Sequence, residues 1–240
     1  MKTHLSRAAA CGLTFAVLCS SGASAATDLS GFWKLKTDPT TVTPAKATPA
    51  GSKLLTEIKS GSGLDVVKGS VEYAALWCTQ YGIAGQMVPD LPLDIRQSPI
   101  ETVVLSGVRG EPHHIYTDGQ KHPDTADFDF SSVGHSVGHW EKDIFVADTM
   151  GISGLGVRII PGGGVVTEKT HLVERYALTG PDTLRITFTW TDATTLRGAH
   201  TYSLDYDRVK GVYWAPDPPC NPIRAMRAKG LPLPADAPQS

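Results

Sequence analysis

The 240-residue sequence has few cysteines, no long apolar segment beyond its first residues, and no excess of basic charge. It contains four cysteines, and its 22 lysines and arginines stand against 24 aspartates and glutamates. Because basic and acidic residues are nearly equal in number, we do not expect a surface that binds nucleic acid or an anionic membrane. No apolar run reaches the roughly 20 residues that a membrane-spanning helix needs. We therefore expect a soluble globular protein without a nucleic-acid partner or a membrane span.

The first 25 residues have the three parts of a secretory signal peptide. Lys2 and Arg7 supply the positive start, an apolar run covers residues 8–19, and Ala-Ser-Ala ends at Ala25. Cleavage there leaves a mature chain of about 215 residues, exported to the periplasm or secreted. Its formal net charge becomes about −4 instead of −2, because the leader contains two basic residues and no acidic one.

Only two cysteines, Cys78 and Cys220, remain after this cleavage. In an oxidising compartment, two cysteines most simply form one disulfide. The bond would tie the region before the main sheet to the C-terminal tail. Closing so long a loop corresponds to about 4 kcal/mol of stabilisation in the chain-entropy model. A free reactive thiol is the alternative.

Short apolar runs separated by glycine and proline are typical of an all-β body with many turns. Leu184, Ile186, Phe188 and Trp190 alternate with polar residues, as in a half-buried strand. Nine or ten such strands in sequence order predict a mainly β, closed or nearly closed antiparallel barrel. A two-sheet sandwich is the alternative.

The expected domain organisation has three parts. Residues 1–25 form the signal peptide, residues 26–215 form the barrel with a small helical insert at about 51–82, and residues 216–240 form a proline-rich tail. The mature chain opens with Gly-x-Trp at Trp33, which resembles the first strand of lipocalin-like (calycin-type) barrels, where the tryptophan plugs one end.

Residues 134–149 hold two histidines, a tryptophan and several charges in an otherwise apolar ribbon. The pattern predicts a β-hairpin with strands over 134–140 and 143–149 and a turn at Glu141-Lys142. In that register His135 faces Asp148. A facing carboxylate fixes the tautomer of an imidazole and raises its basicity, so we predict His135 as a general acid or base. A purely structural hydrogen bond is the alternative.

The preceding strand adds His114 and Tyr116, which share one face because side chains alternate along a strand. A tyrosine beside a histidine suits proton donation to a developing oxyanion, so we predict one of them as the acid. Four further residues are expected to contact the substrate or cap its pocket: His139, Trp140, His122 and Trp33.

Metal binding and nucleophilic catalysis receive no support from residue spacing. His135 and His139 would converge on a helix, but on a strand they lie roughly 13 Å apart. Residues 134–138 match the letters of a Gly-x-Ser-x-Gly nucleophile elbow, but that elbow requires a following helix, and here a hairpin follows. We therefore predict neither a metal nor a cofactor.

Several motifs resemble those of a large, mostly uncharacterised group of exported bacterial proteins. They are Ile-Tyr-Thr-Asp-Gly-x-x-His-Pro at 115–123, Gly-His-Ser-Val-Gly-His-Trp-Glu-x-Asp at 134–143, Val-x-Asp-Thr-x-Gly at 146–151, Glu-Arg-Tyr at 174–176 and Asp-Thr-Leu at 182–184. The resemblance covers about residues 93–208 and implies a lipocalin-like β-barrel without implying an activity. This chain departs from the group at His113 and His114, where an arginine is common, and at Lys142, where glycine is common.

These features together predict an exported enzyme that acts on a small apolar or aromatic molecule by histidine-based acid–base chemistry, as a lyase, hydratase or isomerase. The alternative is a non-catalytic lipocalin-like binding protein for a small hydrophobic ligand. We expect the lumen of the barrel to hold this molecule, and catalysis requires His135, Asp148 and Tyr116 to point into one pocket.

Overall fold

The computed structural model describes residues 27–60, 80–87, 92–107, 111–124, 129–154, 157–211 and 221–233. Within them, nine strands form a closed barrel in sequence order, which confirms the predicted mainly β, lipocalin-like architecture. The strands are β1 Gly31–Leu35, β2 Leu93–Gln97, β3 Glu101–Ser106, β4 His113–Tyr116, β5 His135–Glu141, β6 Ile144–Met150, β7 His171–Gly180, β8 Thr183–Thr191 and β9 His200–Val209.

The helical part of the described chain is small. It consists of a 3-10 helix at Pro39–Thr41 and of helices α1 Pro49–Ser60, α2 Gly82–Gln86 and α3 Pro222–Ala228. Helix α2 is buried along its whole length and packs against the barrel. Helix α3 lies in the segment expected to be a proline-rich tail, and the Asn-Pro pair that begins it is an ordinary helix start signal. None of the helices in these ranges is long and apolar enough to cross a membrane.

Two predictions concern residues outside the described ranges. The signal peptide is one of them. The other is the disulfide, because Cys78 and Cys220 both fall in undescribed segments. Both therefore stay predictions.

One pair of neighbouring strands, β4 and β5, is parallel, while the other eight pairs are antiparallel. The expectation of an antiparallel barrel thus fails at this single place, for a topological reason. Strand directions cannot alternate all the way around a closed ring with an odd number of members. With nine strands, at least one neighbouring pair must run in the same direction.

The parallel pair requires a connection that returns to the end of the barrel where β4 began. Eighteen residues, 117–134, make this connection and carry His122. Near its end, Ser131 donates its N–H to Gly151 O at 3.2 Å and accepts the N–H of Ser153 at 2.7 Å. The return segment is thereby fastened to the chain just after β6.

Trp33 stabilises the strand seam, which is the pairing of β1 with β9 that closes the barrel. Its side chain is fully buried, and its indole N–H donates to Leu29 O at 2.8 Å. Arg208, its neighbour on β9, places its guanidinium 4.0 Å from the indole ring and donates to Ser30 O at 2.8 Å. A cation over an aromatic face is an attractive arrangement, so the contact stabilises the closure.

A glycine on β5 makes close packing inside the barrel possible. A Cβ atom at Gly138 would lie 2.7 Å from side-chain atoms of both Ile115 and Phe145. We expect Gly138→Ala to lower the free energy of unfolding by about 1–3 kcal/mol, because the added methyl group overpacks the core. Chemical denaturation measures the change.

The matched control is Gly198→Ala, since nothing lies within 4 Å of a Cβ atom at Gly198. Its effect should stay within about 0.5 kcal/mol. Equal effects of the two substitutions would contradict the proposed packing.

Candidate functional site

The hairpin that carries His135 exists, but its predicted register is wrong. The turn lies at Lys142-Asp143, one position later than expected, so that Glu141 faces Ile144. Lys142 has φ 57, the left-handed backbone that the favoured two-residue hairpin turns require. His135 consequently faces Met150, and Asp148 faces Val137. The predicted direct pairing of His135 with Asp148 is therefore incorrect.

The corrected register still places His135 and Asp148 on the same face, because it differs from the predicted one by an even number of residues. Asp148 faces Val137, and His135 lies two residues away, on the same side of β5. The alternate residues of this hairpin, Ser136 and Thr149, are fully buried in the barrel. His135 and Asp148 thus lie on the outer face of the wall, outside the lumen.

Four side chains on this face form one hydrogen-bonded row, the outer-wall cluster: His135, His122, Asp148 and His171. Nδ1 of His135 lies 3.0 Å from Nδ1 of His122. Nε2 of His122 lies 3.0 Å from Asp148 Oδ1. Nε2 of His171 lies 2.8 Å from the same oxygen. The predicted pair thus becomes a longer relay in which His122 stands between His135 and Asp148.

The hydrogen positions in this row follow from the carboxylate, which can only accept hydrogen bonds. His122 must donate from Nε2, so its Nδ1 is an acceptor when the ring is neutral. His135 must then donate from Nδ1, and the lone pair of a neutral His135 lies on Nε2. That nitrogen is the basic end of the relay.

Charge and burial tune the cluster. Burial raises the pKa of Asp148, but the hydrogen bonds and charges of His171 and His122 outweigh it and bring that pKa below its ordinary value. The hydrogen bond to Asp148 raises the pKa of His171. Burial, followed by the neighbouring charge of His122, lowers the pKa of His135. Asp148 and His171 therefore favour an ion pair, while His135 favours the neutral form of a base.

The other two predicted catalytic residues lie beside the cluster. The ring of Tyr116 is centred 5.5 Å from that of His135. The ring of His114 is centred 6.5 Å from that of Tyr116, and its Nδ1 lies 3.0 Å from Glu101 Oε2. All four predicted catalytic side chains therefore share one face of the sheet, but this face is the outside of the barrel and not the lumen in which the substrate was expected.

Of the four residues predicted to contact the substrate, only His122 joins the outer-wall cluster. His139 is exposed and pairs with Glu141 at 3.3 Å. Trp140 is partly exposed, with its ring centred 5.2 Å from that of Phe145, and Trp33 is buried at the strand seam. His171 was missed by the sequence analysis, because it begins β7 and only the register of β6 with β7 brings it to Asp148.

Within the described ranges, no three histidine, cysteine, aspartate or glutamate side chains have a geometry that could hold a metal ion. The nitrogen and oxygen atoms of the outer-wall cluster instead bond to one another in a row. A row of this kind moves or shares protons.

The inner face of the same wall carries a second polar group, the lumen cluster, which the sequence analysis did not identify. Nε2 of His113 lies 2.8 Å from Ser136 Oγ, which lies 2.7 Å from Thr149 Oγ1. Tyr176 donates its hydroxyl to Glu174 Oε1 at 3.0 Å. The alternation of side chains along β4 and β7 could have revealed it. Because His114 and Arg175 point outward, their neighbours His113 and Glu174 must point into the barrel.

The two ionisable residues of the lumen cluster favour their uncharged forms. Burial raises the pKa of Glu174 to about 8, against the lowering effect of the Tyr176 hydrogen bond. Burial lowers the pKa of His113 to about 3, with a further contribution from the charge of His114. Both effects follow from the cost of charge in an apolar interior.

Comparison with known proteins adds no assignment to this geometry. No protein-family model matches the chain, and no curated protein matches its sequence. The resemblance to exported bacterial lipocalin-like proteins therefore stays a prediction.

The ion pair in the outer-wall cluster can be tested by titration. In Asp148→Asn the pKa of His171 should fall back toward its ordinary value, because the carboxylate that holds its proton is gone. NMR titration of the histidine ring protons measures this change. Glu141→Gln is the control, since Glu141 bonds to His139 and Arg175. An unchanged His171 pKa in Asp148→Asn would show that the pair does not hold the proton.

Glu174 should make stability depend on pH. The unfolded chain loses the Glu174 proton above about pH 4.5, while the folded protein keeps it until about pH 8. Stability must therefore fall as pH rises through this window, by up to about 1.4 kcal/mol per pH unit. Glu174→Gln cannot ionise, so its stability advantage over wild type should grow across the window, as measured by denaturation at each pH. Glu141→Gln should show no such trend, because Glu141 is exposed and its pKa is lowered by Arg175 and His139, so it stays ionised throughout this window. Parallel curves for Glu174→Gln and wild type would refute the assignment.

Proposed function

We propose that the protein is an exported enzyme that acts on a small apolar or aromatic molecule by histidine-based acid–base chemistry, as a lyase, hydratase or isomerase. One observation carries the proposal: His135 is linked through His122 to the carboxylate of Asp148. A base oriented by a second group, which is itself oriented by a carboxylate, is the arrangement that proton abstraction needs.

In the proposed reaction, His135 Nε2 removes a proton from the substrate. The positive charge that forms on His135 is shared with His122 across the 3.0 Å contact, and His122 remains bonded to Asp148. His171 holds the other side of Asp148 and keeps that carboxylate in place. No covalent intermediate is needed, which agrees with the lack of a nucleophile motif in the sequence.

The acid in this scheme is Tyr116, with its ring next to that of His135. Its hydroxyl would donate to the oxygen on which charge develops. His114, held by Glu101, lies on the far side of Tyr116 and is the second acid in reach of the same face.

The test compares His135→Ala with His139→Ala, a histidine four positions along the same strand and the same face, outside the cluster. Purified proteins are incubated with aromatic ethers, glycosides and lactones, and conversion is followed by chromatography. We expect at least about 100-fold loss of kcat/KM in His135→Ala and little change in His139→Ala. Equal conversion by His135→Ala and wild type would exclude His135 as the base.

The pH profile gives a second readout. The activity of the wild type should rise with pH through a pKa below the ordinary value for histidine, because His135 must lose its proton to act and its pKa is lowered. If activity rose with pH through a midpoint at or above pH 6.5, the assignment of His135 as the base would be contradicted.

A non-catalytic binding protein for a small hydrophobic ligand is the second candidate. The observation in its favour is the closed barrel with an interior lined by aromatic side chains. Failure of every substrate class in the comparison above, together with binding of an apolar molecule, would favour this candidate.

A further inference from the structure

One end of the barrel, where β2, β4 and β5 end and β3 begins, holds a cavity of about 390 Å³. Small-molecule sites have volumes of roughly 300–1,000 Å³, and the mouth of a β-barrel is one of the places where they occur. We call this cavity the mouth pocket. Its lining includes Thr27, Asp28, Gln97, Thr102, Thr117 and Trp140.

The mouth pocket is built from side chains that point into the barrel at the ends of their strands. Trp140 alternates along β5 with the buried Ser136, and Thr102 alternates along β3 with the buried Val104. Gln97 ends the inward-facing row of β2. Because successive side chains of a strand point to opposite faces, these three residues converge over the axis of the barrel.

The ring of Trp140 forms the floor of the mouth pocket. It is centred 5.2 Å from the ring of Phe145, which is fully buried, whereas Trp140 itself is 37% exposed. The interior below is thus closed by packed side chains, and the accessible part of the indole faces the mouth. A ligand in this cavity would contact an aromatic ring without entering the lumen.

Trp140 also has a hydrogen-bond donor to offer. Of the three tryptophans in the described part of the chain, Trp33 and Trp190 donate their indole N–H to acceptors 2.8 and 3.1 Å away. The indole N–H of Trp140 has no acceptor among the described residues. An aromatic ring with one polar atom usually finds a partner for that atom when it is buried, and a ligand in the mouth pocket would supply it.

Two further donors lie in the same lining. Gln97 is fixed by Leu29, whose N–H donates to Gln97 Oε1 at 2.6 Å. Its amide nitrogen donates one hydrogen to Thr102 Oγ1 over a long 3.4 Å contact and keeps a second hydrogen. Thr102 accepts there, which leaves the proton of its own hydroxyl for another acceptor. The pocket therefore presents several donors that favour oxygen atoms of a ligand.

The charges around the mouth pocket select an uncharged ligand. Its described lining has no lysine or arginine and one carboxylate, that of Asp28, so an anion would be repelled. Hydrogen bonds from Ser30 lower the pKa of Asp28, and the nearby charge of Arg208 adds to this effect. Because Arg208 already balances much of the carboxylate charge, a cation gains little, while a hydroxyl group can still donate to the carboxylate.

The mixture of groups in the lining excludes a wholly apolar ligand. Such a ligand would cover polar groups of Asp28, Gln97 and Thr102 without bonding to them, which costs free energy. A sugar ring meets both requirements. Its C–H face is apolar and packs against an aromatic ring, and its hydroxyl groups donate and accept hydrogen bonds around the rim.

We propose that the mouth pocket binds one neutral sugar ring, whose apolar face lies against Trp140 and whose hydroxyl groups bond to Asp28, Gln97 and Thr102. This site is separate from the outer-wall cluster. Trp140 lies five residues along β5 from His135, roughly 17 Å, and on the opposite face of the sheet. Sugar binding here therefore does not depend on catalysis by His135.

Calorimetric titration of the purified protein with the methyl glycosides of glucose, galactose, mannose and xylose tests the proposal. Cyclohexanol, a ring with one hydroxyl, and choline, a cation, are the comparison ligands. We expect at least one glycoside to saturate the protein with a Kd of about 1 mM or less, at least about 10-fold below those of cyclohexanol and choline. Absence of saturable binding by all four glycosides, or binding of cyclohexanol or choline that is as tight, would overturn the proposal.

Variants locate the binding site. Trp140→Ala removes the ring and should weaken glycoside binding at least about 10-fold, whereas Trp140→Phe keeps a ring and should retain most of it. The control is Phe130→Ala, which removes another exposed aromatic ring outside the mouth pocket. Unchanged affinity in Trp140→Ala, or an equal loss in Phe130→Ala, would refute the location.

A third variant keeps the test decisive if Trp140→Ala fails to fold. Thr102→Val preserves the shape of the side chain and removes only its hydroxyl. It should weaken binding of the glycoside more than binding of cyclohexanol. An unchanged ratio of the two affinities would contradict the proposed hydrogen bonding.

Discussion

Closure of the barrel with nine strands is the constraint on which the rest of this structure depends. An odd ring cannot alternate in direction throughout, so β4 and β5 run parallel. Parallel neighbours need a returning connection, and that connection brings His122 to the outer wall beside His135 and Asp148. The geometry of the outer-wall cluster is thus a consequence of strand number as much as of the residues themselves.

The wall between β4 and β7 separates two polar environments that differ in electrostatic character. On the outside, partial exposure allows charge, and Asp148 and His171 favour an ion pair. On the inside, burial suppresses charge, and Glu174 and His113 favour neutral forms. Adjacent residues of the same strands supply both clusters, because successive side chains point to opposite faces. Proton transfer suits the first environment, because its groups can carry charge.

Much of the fold could be predicted because strand signals are local. Alternation in β8 and the turn signals between strands predicted nine or ten strands in sequence order, and the structure has nine in a closed barrel. The hairpin turn could not be placed exactly, since Lys142 has a left-handed backbone that glycine or asparagine usually provides. With the turn misplaced, the predicted residue opposite His135 was wrong, but the predicted side of the sheet was right. A shift of the pairing by two residues leaves every side chain on the same face.

The sequence by itself determined the barrel class, the fact that His135 and Asp148 share a face of the hairpin, and the proximity of the two hairpin strands. These depend on periods and turns that are written in consecutive residues. Only the tertiary structure decided that His122 and His171 complete the outer-wall cluster and that His113 and Glu174 meet in the lumen. Their contacts join residues from 13 to 61 positions apart in the chain. Such contacts depend on strand register and on the path of the return segment, and no local pattern encodes either.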